Sequence, residues 1–388
     1  MKTHQRAGTG FLAALLCVGM SCFSAGSSAQ TTEQFDSEPL VVSPEQSTAV
    51  DSGLRWLASR QRGDGSWYGK VGYKLNSDYR GTAEGGHVGV TALACMAFLA
   101  SGNLPGRGQY GEVVERGLGY VLSACQDDGF ITANGTRMYS HAFATLFLAE
   151  IYGMTHRKDV HSSLQRAVDF IVETQNSEGG WRYVPFAPES DMSIVVCQVL
   201  ALRAARNIGI RVPRSTIDNA AQYVVDSAIT EPQRRRSRGY GSGVVGDEVG
   251  SFQYQRGRSS RSNFPLTAAG VTSLHGVGIY SDALIENGLD YLRRNLDHFN
   301  ATRGRGDQGH YFFWYGHYYG VQAMYTAGNS SQFDYWKPYF ETVRSEILNL
   351  QLENGSFPNR TGPGPEFGTA MAVLILEIPY RYLPIFQR

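Results

Sequence analysis

The stretch Arg166-Ala167-Val-Asp-Phe170-Ile171-Val-Glu-Thr-Gln175-Asn-Ser-Glu-Gly179-Gly-Trp181 decides the fold, because its parts return along the chain. Its first half is a small residue, two variable ones, an aromatic and an aliphatic. That pattern recurs as Gly53-x-x-Trp56-Leu57, Gly117-x-x-Tyr120-Val121, Ala220-x-x-Tyr223-Val224 and Gly288-x-x-Tyr291-Leu292. With Ala167 included, the five copies are spaced 64, 50, 53 and 68 residues apart, a period that marks a repeat architecture. The second half follows Gln-x-x-x-Gly-x-aromatic, as Gln61 to Trp67 and Gln351 to Phe357 also do, and the last of these marks a sixth unit. Gly65, Gly129 and Gly179 each come nine residues after the aromatic, where a residue without Cβ ends a helix.

Each turn is followed by a second apolar stretch of helical length: Val88 to Ala100, His141 to Tyr152, Met192 to Ala205, Pro265 to Val277, Tyr315 to Ala327 and Phe367 to Ile378. These stretches are rich in Ala, Leu, Val and Gly on nearly every face, so they predict helices buried on both sides. The first helices carry charges such as Arg60, Glu115, Arg166 and Arg293 and read as amphipathic. Six hairpins with polar helices outside and apolar ones inside predict an all-α fold, an (α/α)6 toroid over residues 45–388. A closed ring buries every inner helix and leaves no exposed end repeat. An open superhelix is the rival, but it needs polar ends, and this chain finishes in the apolar run Ile375 to Phe386.

The Gln-Trp pattern resembles that of squalene-hopene and oxidosqualene cyclases, a superfamily shared with protein prenyltransferase β-subunits. The resemblance spans nearly the whole mature chain and implies the toroid, with each Gln-Trp pair tying adjacent hairpins together. It also implies a proton donor at the middle acid of an Asp-x-Asp-Asp motif before an inner helix. The nearest match is Pro188-Glu189-Ser190-Asp191, in which Ser190 stands where the donor belongs. A neutral hydroxyl is too weak an acid for that work. Asp191 or Glu189 would have to supply the proton, or Asp191 caps its helix. The prenyltransferase zinc site needs Asp-x-Cys, which is absent, and no metal or cofactor is expected.

Composition bounds the partners. The 388 residues are 42% hydrophobic, with Lys plus Arg and Asp plus Glu equal at 35 each, so nothing favours nucleic acid. Lys2 and Arg6 precede an apolar run from Phe11 to Met20, and small residues follow up to Ala29. That order predicts a signal peptide over 1–29, a flexible segment over 30–44 and an exported, periplasmic or extracellular protein without a transmembrane segment after cleavage. Cys95, Cys125 and Cys197 remain in the mature chain, too few and too scattered for a disulfide framework.

Three features remain as candidate chemistry. Asp191, His141 and His317 are the catalytic candidates, each at or near the start of an inner helix. His310, Trp314 and Tyr315 belong to the aromatic run from Gly309 to Tyr319, whose ring faces would hold an apolar chain or steady a cation. Arg234, Arg235 and Arg236 lie in the long connection from Pro232 to Asn263 and would grip phosphate or carboxylate. If the inner-helix starts share one end of the ring, Asp191, His141, His310, Trp314 and His317 surround one cavity. The expected function is binding or processing of an apolar, isoprenoid-like molecule or lipid. The alternatives are a non-catalytic toroid that engages a protein partner and an extracellular glycan-active enzyme on the same ring.

Overall fold

The computed structural model describes residues 42–72, 81–231, 248–257, 261–301, 311–328, 334–380, 383 and 385. The proposed signal peptide, Arg234, Arg235, Arg236 and His310 lie outside the described residues. Among the described residues, twelve α-helices form six hairpins. They are α1 (Pro44–Arg60) with α2 (Val88–Ala100), α3 (Gly111–Ser123) with α4 (Met138–Thr155), and α5 (Lys158–Glu173) with α6 (Met192–Asn207). The chain continues with α7 (Arg214–Asp226) and α8 (Phe264–Gly276), α9 (Ala283–Ala301) and α10 (Tyr311–Ala327), and α11 (Trp336–Leu348) and α12 (Pro365–Glu377).

The even-numbered helices pack on one another in chain order, and α12 packs back onto α2, so the inner ring is closed. Every residue of α2 and α8 is buried, which is why neither sequence has a polar face. In α5, by contrast, Val160, Leu164, Ala167, Val168 and Ile171 form one buried stripe, and the charged residues stay outside. The architecture is an (α/α)6 toroid.

The repeated motif is the joint between hairpins. The Gln175 amide donates to Gly179 O (2.9 Å) in its own turn and to Thr216 O (2.9 Å) in the next outer helix, α7. Gln61 does the same to Gly65 O (3.0 Å) and Val113 O (2.8 Å). Gln351 donates to Gly355 O (3.0 Å) and to Ala49 O of α1 (2.8 Å), so the sixth unit is stitched to the first by the same pair of bonds. The Trp67 and Trp181 indoles are buried and donate to Leu57 O and Ile171 O, both at 2.8 Å. The indoles reach carbonyls in the last turns of α1 and α5, where intrahelical partners run out, while each amide bridges its own turn to a carbonyl of the next outer helix.

The turn glycines pack on backbone. Gly179 has φ +88°, and a Cβ there would lie 2.4 Å from Asn219 O. Gly250, which the sequence pattern does not pick out, has φ +92° and faces Asn287 O in the same way. It is the turn glycine of the fourth unit, and Phe252 is its buried aromatic. The motif is disguised there because no glutamine precedes it at the usual spacing.

One departure from an all-helical chain is a short antiparallel hairpin between the first turn and α2, β1 (Tyr68–Gly72) with β2 (Gly81–Gly86). Lys70 N–H donates to Pro363 O (3.0 Å), which seats β1 against the loop before α12. Among the described residues no helix is long and apolar enough to cross a membrane.

Candidate functional site

All inner helices run the same way, because each is the second arm of its hairpin, and their starts meet at one end of the ring. A cavity opens there in two lobes of about 780 and 460 Å³, mouths included, which share Tyr139, Tyr183 and Tyr315. Val90 of α2, Phe143 of α4 and Phe367 and Met371 of α12 line the first lobe. Ser193 of α6, Leu266 of α8 and Phe312 of α10 line the second. The walls are mainly apolar and aromatic.

Asp191 lies directly behind this wall. It caps α6, with Oδ1 accepting from Ile194 N–H (3.1 Å) and from the Ser193 hydroxyl. Its own N–H donates to Trp181 O (3.0 Å), so the Gln-Trp joint holds the acid in place. Two hydroxyl chains lead from the carboxyl to the cavity. Tyr139 OH donates to Ser193 Oγ (2.6 Å), and Tyr254 OH donates to Asp191 Oδ2 (3.4 Å) while pairing with Tyr183 OH (2.6 Å). Tyr315 OH donates to Ser193 O (3.3 Å).

Asp191 is fully buried, and that desolvation raises its carboxyl from 3.8 to about 6, against the pull of the Ser193 and Ile194 hydrogen bonds. The folded protein therefore binds this proton more tightly than the unfolded chain. The resulting stability is fully present below the unfolded value of 3.8 and is lost as pH rises through about 6. Relative to Asp191→Asn, which keeps the cap, the protein should lose about 3 kcal/mol between about pH 3 and pH 7. Urea unfolding at stepped pH measures it. A pH-independent difference would mean that the carboxyl is solvated.

The other sequence candidates are distributed differently. Ser190 faces away from the cavity, its hydroxyl donating to Asn176 Oδ1 (2.8 Å) in the preceding turn. His141 Nδ1 accepts from Ile131 N–H (3.1 Å) and Nε2 meets Ala167 O (3.2 Å) on α5. In three other units a threonine takes the same bond from the turn: Thr91 from Trp67, Thr267 from Phe252 and Thr369 from Phe357. His141 thus occupies a repeat-packing position, and burial holds it neutral, pushed down to about 3.

His317 packs between α9 and α11, with Nε2 on Asn300 Oδ1 (2.9 Å) and Nδ1 on Tyr339 OH (3.3 Å). Trp314 donates to Pro358 O (3.1 Å) and packs on Phe357, at the joint with the sixth unit. The expected shared cavity therefore takes Tyr315 into its wall and Asp191 behind it, whereas His141, His317 and Trp314 sit in seams between hairpins. Their residue types drew attention, but both nitrogens of each histidine are engaged in packing.

Sequence reading missed His87, Arg137, Tyr139, Tyr183 and Tyr254. His87 caps α2, its Nδ1 accepting from Val90 N–H (3.2 Å), and burial pushes the ring down to about 4, so it is neutral with its proton on Nε2. Its place immediately before the apolar stretch was the available signal.

No known family's sequence model and no curated protein sequence matches the chain. Solved structures do. The chain is similar to cellobiose 2-epimerase from Bacillus thermoamylovorans, with 11% identity and TM-score 0.59 over 87% of this chain and 98% of that one. It is similar to a glycoside hydrolase family 76 mannosidase from Bacteroides thetaiotaomicron, at 9% identity and TM-score 0.55 over 86% and 98%. The type II terpene cyclase MstE from Scytonema, solved with geranylgeranyl dihydroxybenzoate, gives 12% identity and TM-score 0.53 over 87% and 98%. These likenesses are of fold, and they set the chain among α/α-toroid proteins.

Proposed function

We propose that this chain is an exported protein that holds an apolar, isoprenoid-like molecule in the cavity at the inner-helix starts, with Asp191 as its acid. The observation that carries this is a buried carboxyl, linked through Tyr254 and Tyr183, behind a wall that is otherwise apolar and aromatic. Aromatic faces steady positive charge, and a desolvated carboxyl keeps a proton to give. Setting the cyclase motif one residue later, on Glu189-Ser190-Asp191-Met192, puts Asp191 at the middle acid, which fits the opposite orientations of Ser190 and Asp191. A glycan hydrolase needs two carboxyls flanking the bond it cleaves. Neither Asp nor Glu is among the described side chains lining the two lobes.

The test starts from protein isolated from its native source, with its N-terminus expected near Gln30. Solvent extraction and mass spectrometry should release an isoprenoid-like lipid, and delipidated protein should bind geranylgeraniol. Met371→Trp, which fills the first lobe, should weaken that binding at least about tenfold, with no more than about 1–3 kcal/mol of overpacking cost. Unchanged binding in Met371→Trp would place the molecule elsewhere and sink the reading.

A further inference from the structure

One corner of the cavity is built unlike its walls. His87 and Ser140 both line the first lobe and are only 9% and 3% exposed. Because His87 Nδ1 is used in capping Val90, its Nε2–H is left without a partner among the described residues. The Ser140 hydroxyl likewise has none, and it lies against Gly89, where a Cβ would come within 2.9 Å of its oxygen. Arg137 lines the same lobe one turn before Ser140, and its Nη1 is closed to solvent. These donors stand on the adjacent starts of α2 and α4, where helix dipoles add positive potential. None of the described residues lining the lobe is an Asp or Glu. Further along the wall, Leu93, Phe143 and Met371 are apolar.

A site with donors in one corner and hydrocarbon elsewhere selects an amphiphile. We propose that His87, Arg137 and Ser140 form a headgroup subsite for an oxyanion, a carboxylate or a phosphate monoester, carried by the apolar molecule. This rests on the apolar-ligand reading and adds the head to the chain. The neutral imidazole and the hydroxyl each donate one hydrogen bond, and the guanidinium supplies the charge.

Three probes that share one chain and differ in the head test it: geranylgeraniol, geranylgeranoic acid and geranylgeranyl monophosphate, titrated calorimetrically at about pH 7.5. The anionic head should gain about tenfold or more over the alcohol. If the acid gains more, the natural head is a carboxylate; if the monophosphate gains more, it is a phosphate. Arg137→Gln, Ser140→Ala and His87→Asn, the last keeping an acceptor for the α2 cap, should each shrink the gap between the anionic probes and the alcohol. Far-UV circular dichroism and retained binding of the alcohol show that the variants are folded. Equal affinities for the three probes, or a gap that survives all three variants, overturn the headgroup subsite and leave the apolar-ligand reading standing. Failure of every probe to bind overturns both.

Discussion

Trp181→Ala will destabilise the protein by about 3–5 kcal/mol, the usual cost of deleting a large buried aromatic. Trp181 is 1% exposed and donates to Ile171 O, so truncation leaves a cavity and removes one of the two bonds to that carbonyl, the other coming from the Thr174 hydroxyl (3.2 Å). Trp181→Phe should cost less, about 1–2 kcal/mol, because it removes only the hydrogen bond and part of the ring. The sixth unit already uses Phe357 at this position, fully buried. Chemical denaturation separates the two variants. Since Trp181 O accepts from Asp191 N–H, the alanine variant should also loosen the acid. A cost below about 1 kcal/mol would mean that the indole does not tie α5 to α6.

Gly355→Val tests the closing joint of the ring. Gly355 has φ +86°, and a Cβ there would lie 2.6 Å from Ser52 O, a backbone atom with little room to retreat. Left-handed backbone costs a β-branched residue about 2 kcal/mol, and the forced contact adds about 1–3. The expected loss is about 4 kcal/mol. Gly209→Val supplies the control, because Gly209 has φ +87° with nothing within 4 Å of its Cβ position. Its cost should be the backbone part alone. If both variants lose the same stability, the sixth unit does not press on the first.

The ring was legible in the sequence because each joint needs the same few atoms. A glutamine amide, a glycine at positive φ and a flat ring recur together at the turns of the first, third and sixth units, and the second keeps the glycine, Gly129. The absence of a polar face on stretches such as Val88 to Ala100 then says which helices lie inside. Gly250 escaped because its unit keeps the geometry and drops the glutamine.

The site was less legible for a physical reason. Tyr183 and Tyr254 lie in connections with no hydrophobic period, 71 residues apart, and meet only because two turns end at the same rim. Asp191 stood out because a carboxyl leads straight into an apolar helix. His141 and His317 stood out too, yet a ring nitrogen serves as well as a threonine hydroxyl for accepting a turn amide. Local sequence does not distinguish a histidine that packs from one that reacts.

The bond from Gln351 to Ala49 spans 302 residues of chain, whereas the equivalent bonds from Gln61 and Gln175 span 52 and 41. Five joints can therefore form as the polypeptide emerges, each between neighbours, but the sixth waits for the last hairpin. Closing so long a loop is a late, non-local event in folding. Until it happens the chain is an open arc with one flank of every terminal helix bare, and Phe367 and Met371 have not yet arrived to wall the first lobe. The first lobe is therefore completed only with the final hairpin, whereas the second is walled by residues that precede it. On the proposed function, a molecule present at that moment would be enclosed by the same step that completes the protein.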